Sequence, residues 1–321
     1  MNDSLMLTIA ETVDFLKERD SFLILTHRRP DGDAIGCAGA LAQGLRDFGK
    51  TAYVLPNPDT TPRYLGFVET YHAPDGYSPD CIVAVDTASS EMFPSDFEEQ
   101  IDAISLCIDH HPSNTLYAAN TCLDGNRASC GEIIYDILIS LNGQISDIVA
   151  EKLYVALSSD TGCFAYANTT AGTLAIASLL VEAGAPHREL NKMLFRTKTR
   201  GRMKIEGSIY SNLEFYFDGA VAISTITRAM VKEAAATEDD IDDIASIPGS
   251  VEGVLIGITI RELSSTRDCK ASVRTSPVVN ASGICERFGG GGHAMAAGFT
   301  LEASVSEIKS SLLEILGDFL P

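Results

Sequence analysis

The sequence predicts an α/β protein in two domains: a mostly parallel sheet with helices on both faces, then a smaller mixed α/β domain. Three observations carry this. Short, wholly apolar runs at Phe22–Leu25, Cys81–Val85 and Ile104–Ile108 read as strands buried on both sides. Helical stretches alternate with them over residues 1–185, the pattern of strand–helix–strand units. At Gly184-Ala185-Pro186 the pattern breaks; a connector richer in Lys and Arg, predicted helical, runs over 186–207, and a second set of strands and helices fills 208–321.

In order, the first domain reads as an amphipathic helix over Leu5–Lys17, the strand Phe22–Leu25, a helix over Ala34–Phe48, strands at Ala52–Leu55, Cys81–Val85 and Ile104–Ile108, and helices over Gly131–Leu141, Ile148–Ser159 and Thr173–Glu182. The second reads as strands at Leu213–Phe217, Ala220–Thr227, Val254–Ile260 and Lys270–Arg274, with helices over Glu238–Ser246, Asn280–Phe288 and Ser304–Phe319. The acidic run Glu238-Asp239-Asp240 with Asp242-Asp243 suits the solvated start of a helix, where carboxylates meet the positive end of the dipole.

Composition narrows the function. The net charge of -20 argues against a protein that wraps long nucleic acid, which needs a broad basic surface. A small phosphorylated substrate stays open, because metal ions and a few arginines invert the field locally. None of the eight cysteines forms a Cys-x-x-Cys pair, and several lie inside apolar runs, so they read as small buried hydrophobes kept reduced. No apolar stretch approaches the roughly 20 residues of a spanning helix, and the first residues lack the hydrophobic core of a signal peptide. The expectation is a soluble, cytoplasmic protein with no membrane partner.

The chemistry is concentrated where strands and helices end. The strand Phe22–Leu25 leads into Thr26-His27-Arg28-Arg29-Pro30-Asp31-Gly32-Asp33, a tight loop carrying a histidine and two aspartates. Asp86 closes the strand Cys81–Val85, Asp109-His110-His111 closes Ile104–Ile108, and Asp160 closes a helix. One aspartate after a strand is usually a cap or a turn residue. Four separate elements that all end in carboxylate or imidazole point to a metal site at the carboxyl ends of a sheet. The donors are oxygen and nitrogen without sulfur, a set that suits manganese, with magnesium, cobalt or iron as alternatives, better than structural zinc. His27, Asp31, Asp33, Asp86, His110 and Asp160 are also too many for one ion with an open position, so two ions are expected.

His27-x-x-x-Asp31-x-Asp33, Asp86, Asp109-His110-His111 and Asp160 resemble, in order and spacing, the four motifs of the DHH phosphoesterase superfamily. Gly289-Gly290-Gly291-Gly292-His293-Ala294-Met295-Ala296-Ala297-Gly298 resembles the signature of the DHH-associated substrate domain. The resemblance spans nearly the whole chain and is strongest to the two-domain nano-RNase/pAp phosphatase group. It implies that His27 and Asp31 hold one ion, that Asp33, His110 and Asp160 hold the other, and that Asp86 bridges them. It further implies that His111 faces the substrate phosphate as donor or acid, with Asp109 orienting a ligand imidazole or serving structure alone. Gly290, Gly291, Gly292 and His293 would let backbone N–H groups approach an anion, and Arg274 would clamp it.

The activity implied is hydrolysis of short oligoribonucleotides and linear dinucleotides to mononucleotides, and of pAp to AMP, by a hydroxide that two metals activate. An active-site cleft between the domains would favour short substrates. A homodimer through the first domain is a family-level expectation. The rivals are a cyclic dinucleotide phosphodiesterase with the same ligands, a single-strand exonuclease of RecJ type, an inorganic pyrophosphatase and a non-catalytic nucleotide-binding module. The acidic balance counts against the exonuclease, the glycine loop against the pyrophosphatase, and the complete ligand set against the binding module.

Overall fold

In the computed structural model, which describes residues 4–241 and 244–321, the chain divides into two units, Met1–Thr197 and Lys198–Pro321. The first holds a six-stranded sheet of β1 (Leu5–Met6), β2 (Phe22–Leu25), β3 (Ala52–Val54), β4 (Cys81–Val85), β5 (Ile104–Asp109) and β6 (Asn120–Leu123), in the order β1-β6-β5-β4-β2-β3. Every neighbouring pair is parallel. Its helices are α1 (Ile9–Lys17), α2 (Gly32–Asp47), the short α3 (Pro62–Leu65) and α4 (Glu98–Ile101), α5 (Cys130–Asn142), α6 (Asp147–Asp160), α7 (Ala171–Glu182) and α8 (His187–Asn191).

Strand side chains alternate between two cores. Phe22, Ile24, Val83, Val85, Leu106 and Ile108 enter the larger one, which the long helices close. Leu23, Leu25, Ile82, Ala84 and Cys107 enter a smaller one beneath Phe93 and Phe97. Neither face of the central strands meets water, which is why each reads as an unbroken apolar run. The helical cover is unequal, with long helices on one face and only short turns around residues 90–101 on the other.

The strand order sets the location of the site. β3 lies outside β2 on one side, while β4, β5 and β6 build outward on the other. Loops leaving β2 and β4 therefore diverge, and a crevice opens at their carboxyl ends. The registers Leu25↔Ala84 and Val85↔Ile108 bring the ends of β2, β4 and β5 level. Behind them α2 and α6 pack unusually close. A Cβ at Gly36 would lie 2.5 Å from the Lys152 carbonyl oxygen and 2.8 Å from the Ala156 nitrogen, so this seam admits only glycine.

The second unit contains α9 (Arg200–Ser211), β7 (Glu214–Tyr216), β8 (Val221–Ile226), α10 (Arg228–Ala234), β9 (Ile256–Glu262), β10 (Cys269–Thr275), α11 (Ala281–Glu286), β11 (Gly291–Gly292), β12 (Ala296–Leu301) and α12 (Val305–Leu316). The sheet order is β11-β12-β10-β9-β8-β7, with β8 and β9 parallel and the other pairs antiparallel. Residues of α11 and α12 fill its main core, and α9 joins Ile226 and Ile244 in a second cluster.

Two expected helices differ from the structure. The helix expected over Leu5–Lys17 begins only at Ile9, where Thr8 and Glu11 form a reciprocal capping box. Leu5–Met6 instead add a parallel edge strand beside β6. The helix expected over Glu238–Ser246 is replaced by a turn at 238–240 and a single 3-10 turn, Ile244–Ser246, with Asp242 and Asp243 outside the described residues. Asp240 is not solvated: it is buried, and its carboxylate accepts from the Thr199 hydroxyl and from the Thr237 N–H at 2.8 Å. Asp240 thus closes a turn where a helix start was expected. All eight cysteines are free thiols, buried except for Cys163. Among the described residues no helix is long and apolar enough to cross a membrane.

Candidate metal centre

The loop after β2 is pinned from outside. Asn57 Nδ2 donates to the His27 carbonyl at 2.9 Å and to Thr26 Oγ1 at 3.0 Å. The His27 ring is fixed in turn: Nδ1 donates to the Arg28 carbonyl at 2.8 Å, which leaves Nε2 as the acceptor, 4.0 Å from Asp86 Oδ2. Asp31 is the N-cap of α2, its Oδ1 accepting from the N–H groups of Asp33 and Ala34.

Asp33 follows in the first turn of α2 and is fully buried. Its carboxylate is held by the main chain at the start of α5, with Cys130 N–H donating to Oδ2 at 2.6 Å and Gly131 N–H to Oδ1 at 3.0 Å. The Cys37 thiol adds a contact to Oδ1 at 3.2 Å. An anion at a helix N-terminus is favourably placed. Even so, burial and then the charge of Asp160 push Asp33 up to about 7.

Asp86 leaves β4 with a left-handed backbone, φ 51°, rare for a residue with a side chain. That turn sets its carboxylate among the imidazoles, with Oδ1 3.5 Å from His110 Nε2 and 3.6 Å from His111 Nδ1. Burial first, then the charges of Asp33 and Asp31, raise it well above the usual carboxylate range. His110 lies where β5 ends; its Nδ1 donates to the Arg127 carbonyl at 3.2 Å, and its Nε2 lies 3.3 Å from Asp160 Oδ2 and 3.8 Å from Asp33 Oδ2. Burial opposes its charge, but Asp160 and Asp33 outweigh burial and lift it to about 9. Asp160 reaches this point from the last residue of α6.

Asp109 belongs to a different arrangement. Its Oδ1 accepts from His111 Nδ1 and from the His110 N–H, each at 2.8 Å, and its Oδ2 accepts from Asn114 Nδ2 at 2.6 Å. The imidazole that Asp109 orients is therefore that of His111, while the ring of His110 is tied to a backbone carbonyl. Burial works against the Asp109 anion, but the bonds from His111 and Asn114 prevail and hold it below the usual range. The same bond raises His111. Sequence reasoning did not single out Asn114, Asn57 or the α5 amides; the amides carry no side-chain signal, and the asparagines look like ordinary turn residues.

These side chains fit divalent ions. His27, Asp31 and Asp86 form one group with ligand atoms within 4.8 Å of one another, Asp33, His110 and Asp160 form a second, and Asp86, His110 and His111 a third. Asp86 Oδ1 and His110 Nε2 are buried and lack any hydrogen-bond partner. Orphaned polar atoms among crowded carboxylates are costly to keep, and a cation relieves both costs together.

The expected substrate residues come together elsewhere, in the second unit. Arg274 on β10 and the Gly290-Gly291-Gly292-His293 loop line one groove of about 610 Å³. A Cβ at Gly290 would sit 2.3 Å from the Gly298 carbonyl oxygen, and Gly292 has φ 147°, so the loop can hug β12 only with glycines. The His293 N–H donates to the Ala296 carbonyl at 2.8 Å and closes the turn into β12.

Comparison with known proteins places each unit. Residues 21–157 match the model of the DHH family, N-terminal domain, and residues 218–320 match the DHHA1 domain. The chain is 30% identical to the bifunctional oligoribonuclease and PAP phosphatase NrnA of Thermus thermophilus, over 87% of this chain and 83% of that protein. An exopolyphosphatase-related protein from Bacteroides fragilis shares the fold with a TM-score of 0.84 at 22% identity, covering 96% of each chain. RecJ of Thermus thermophilus, solved in complex with Mn2+, superposes with a TM-score of 0.56 at 15% identity, covering 98% of this chain and 55% of that one.

Proposed function

We propose, from the premise that this chain belongs to the DHH family and carries a DHHA1 domain, that it hydrolyses short oligoribonucleotides and linear dinucleotides to mononucleotides, and pAp to AMP. It is a metal-dependent phosphoesterase, and the finer reading concerns its substrates, ions and residues. One observation carries that reading: acids and imidazoles from the ends of β2, β4, β5 and α6 converge in overlapping groups that share Asp86 and His110. His27 and Asp31 would hold one ion, Asp33, His110 and Asp160 a second, and Asp86 both. Oxygen and nitrogen donors favour manganese. Bound ions would neutralise the phosphoryl oxygens and lower the pKa of an attacking water.

The chain's own groups complete the chemistry. Asp109 accepts from His111 Nδ1 and raises the ring, so that the doubly protonated imidazole would donate from Nε2 to the phosphate or to the departing oxygen. Asn114 fixes Asp109 against rotation. In the second unit Arg274 and the glycine loop would take the part of the substrate remote from the scissile phosphate. The strongly acidic surface disfavours long nucleic acid, which supports selection for short substrates. Eight reduced thiols accord with the cytoplasm.

The test is a substrate panel with Mn2+: pAp, linear pApA, cyclic di-AMP and a length series of RNA. Rapid turnover of pApA and pAp, falling steeply with length, is the expected result. Equal rates on a dinucleotide and a long single strand, or turnover confined to the cyclic dinucleotide, would contradict the proposal.

A further inference from the structure

The groove of the second unit is longer than the residues assigned to it. β10 alternates strictly: Cys269, Ala271 and Val273 are buried in the core, while Lys270, Ser272 and Arg274 line the open groove. β12 faces them with little bulk, Ala296 opposite Arg274, Gly298 opposite Ser272 and Thr300 opposite Lys270. The result is a trough overlooked by two cations rooted four residues apart, with a floor of small residues.

Lys270 is not there to neutralise a neighbour. It is exposed and has no ion-pair partner among the described residues. Acids near that end are engaged elsewhere: Glu262 accepts from the Arg228 N–H, Asp268 from Ser264, and Glu238 pairs with Arg261. Among the described residues no acid lines the groove, in a chain with 44 acidic and 24 basic residues. Lys270 and Arg274 stand four residues apart on one strand, about 14 Å between their Cα atoms. The Lys270 side chain leans back over Gly298, its Cε 4.0 Å from where a Cβ there would stand; extended apart along the strand, the two cations would reach two successive phosphates across a floor of glycine and alanine.

We infer that Lys270 forms a second anion subsite, binding the phosphate one nucleotide beyond the one that Arg274 takes, so that a trinucleotide gains a contact that a dinucleotide lacks. This rests on the reading that the groove receives the substrate's remote end. Lys270 is then a specificity-determining residue for length, acting on binding and not on the chemical step.

The experiment measures KM and kcat of wild type, Lys270→Gln and Lys270→Arg on pApA and pApApA with Mn2+, over a range of salt. Lys270→Gln should raise the trimer-to-dimer KM ratio about tenfold with kcat little changed, and should lower the salt slope for the trimer by about one. Lys270→Arg should restore most of the ratio, since a point charge suffices. An unchanged ratio in Lys270→Gln, with both substrates still hydrolysed by wild type, overturns the subsite alone. Failure of wild type to hydrolyse either substrate overturns the substrate reading and this inference with it.

Discussion

Asp86→Asn separates the stability of the centre from its chemistry. The amide keeps the shape of Asp86 and tolerates its left-handed backbone, φ 51°. It removes one negative charge from the cluster. Ligand oxygens of Asp86 and Asp31 lie within 4.8 Å, and at an effective dielectric of about 20 two full charges at that separation repel by about 3.5 kcal/mol. Protonating Asp86 avoids the repulsion, and its raised carboxyl shows this route is open, yet it has a similar cost. Near neutral pH an ordinary aspartate is about three pH units above its midpoint, which amounts to about 4 kcal/mol. Asparagine bears neither cost but brings an amide with few acceptors in reach, so a net gain of about 2 kcal/mol is expected. In chelator the variant should melt about 4–8 °C above wild type near neutral pH. The gap should narrow toward about pH 5, because a raised carboxyl lowers stability progressively as pH climbs above the ordinary aspartate value. Saturating Mn2+ should raise the melting temperature of wild type only, and turnover of pApA should vanish in the variant. Scanning calorimetry with and without chelator is the assay. A variant that melts at or below wild type in chelator, or that Mn2+ stabilises as strongly, refutes the reasoning.

Other perturbations probe the neighbouring parts. Metal-free wild type should lose stability as pH rises from about 5 to about 9: Asp33, raised to about 7, loses its advantage over the unfolded chain between the ordinary aspartate value and that point, and His110, raised to about 9, loses its contribution from 6.5 upward. A melting temperature that stays flat or rises over that range in chelator would contradict this. Gly36→Ala should destabilise by about 1–3 kcal/mol, because its Cβ would meet the Lys152 carbonyl oxygen at 2.5 Å; denaturant midpoints will show whether α2 and α6 separate at lower cost. Asp109→Asn should lower kcat about a hundredfold or more while the fold persists. Because Asp109 raises His111, the alkaline limb of the rate profile should also move toward lower pH, and an unshifted limb would deny Asp109 its hold on that ring.

The sequence revealed the centre because burial and chemistry are separated cleanly along each strand. β2, β4 and β5 are buried on both faces, so they stand out as apolar runs, and chemistry follows within two residues of each: His27 after β2, Asp86 after β4 and His110 after β5. What stayed hidden depends on pairing between distant segments. Asn120–Leu123 is a strand only because β5 and β1 flank it, and nothing in Asn-Thr-Cys-Leu announces this. β12 opens on Ala-Ala-Gly, too small to look like a strand; its register against β10 supplies the order. The partner of Asp109 was equally invisible, since two adjacent histidines offer the same ring and only the path of the loop decides which one turns toward it. Asp240 looked solvated because its neighbours are acidic, yet Thr199, far away in the chain, makes it a buried acceptor.

The grip on Asp33 by the amides of Cys130 and Gly131 has a consequence for how this protein should be dissected. A tether made of peptide nitrogens is silent when Cys130 is truncated to alanine, since its N–H stays in place, and a survey of side chains would credit Asp33 with standing alone. Cys130 opens α5, and Ser129 before it is already extended; proline is well tolerated at a first helical position and asks for just such a predecessor. Cys130→Pro would therefore cut one strand of the tether while sparing the helix, making a contribution of the bare polypeptide measurable for once.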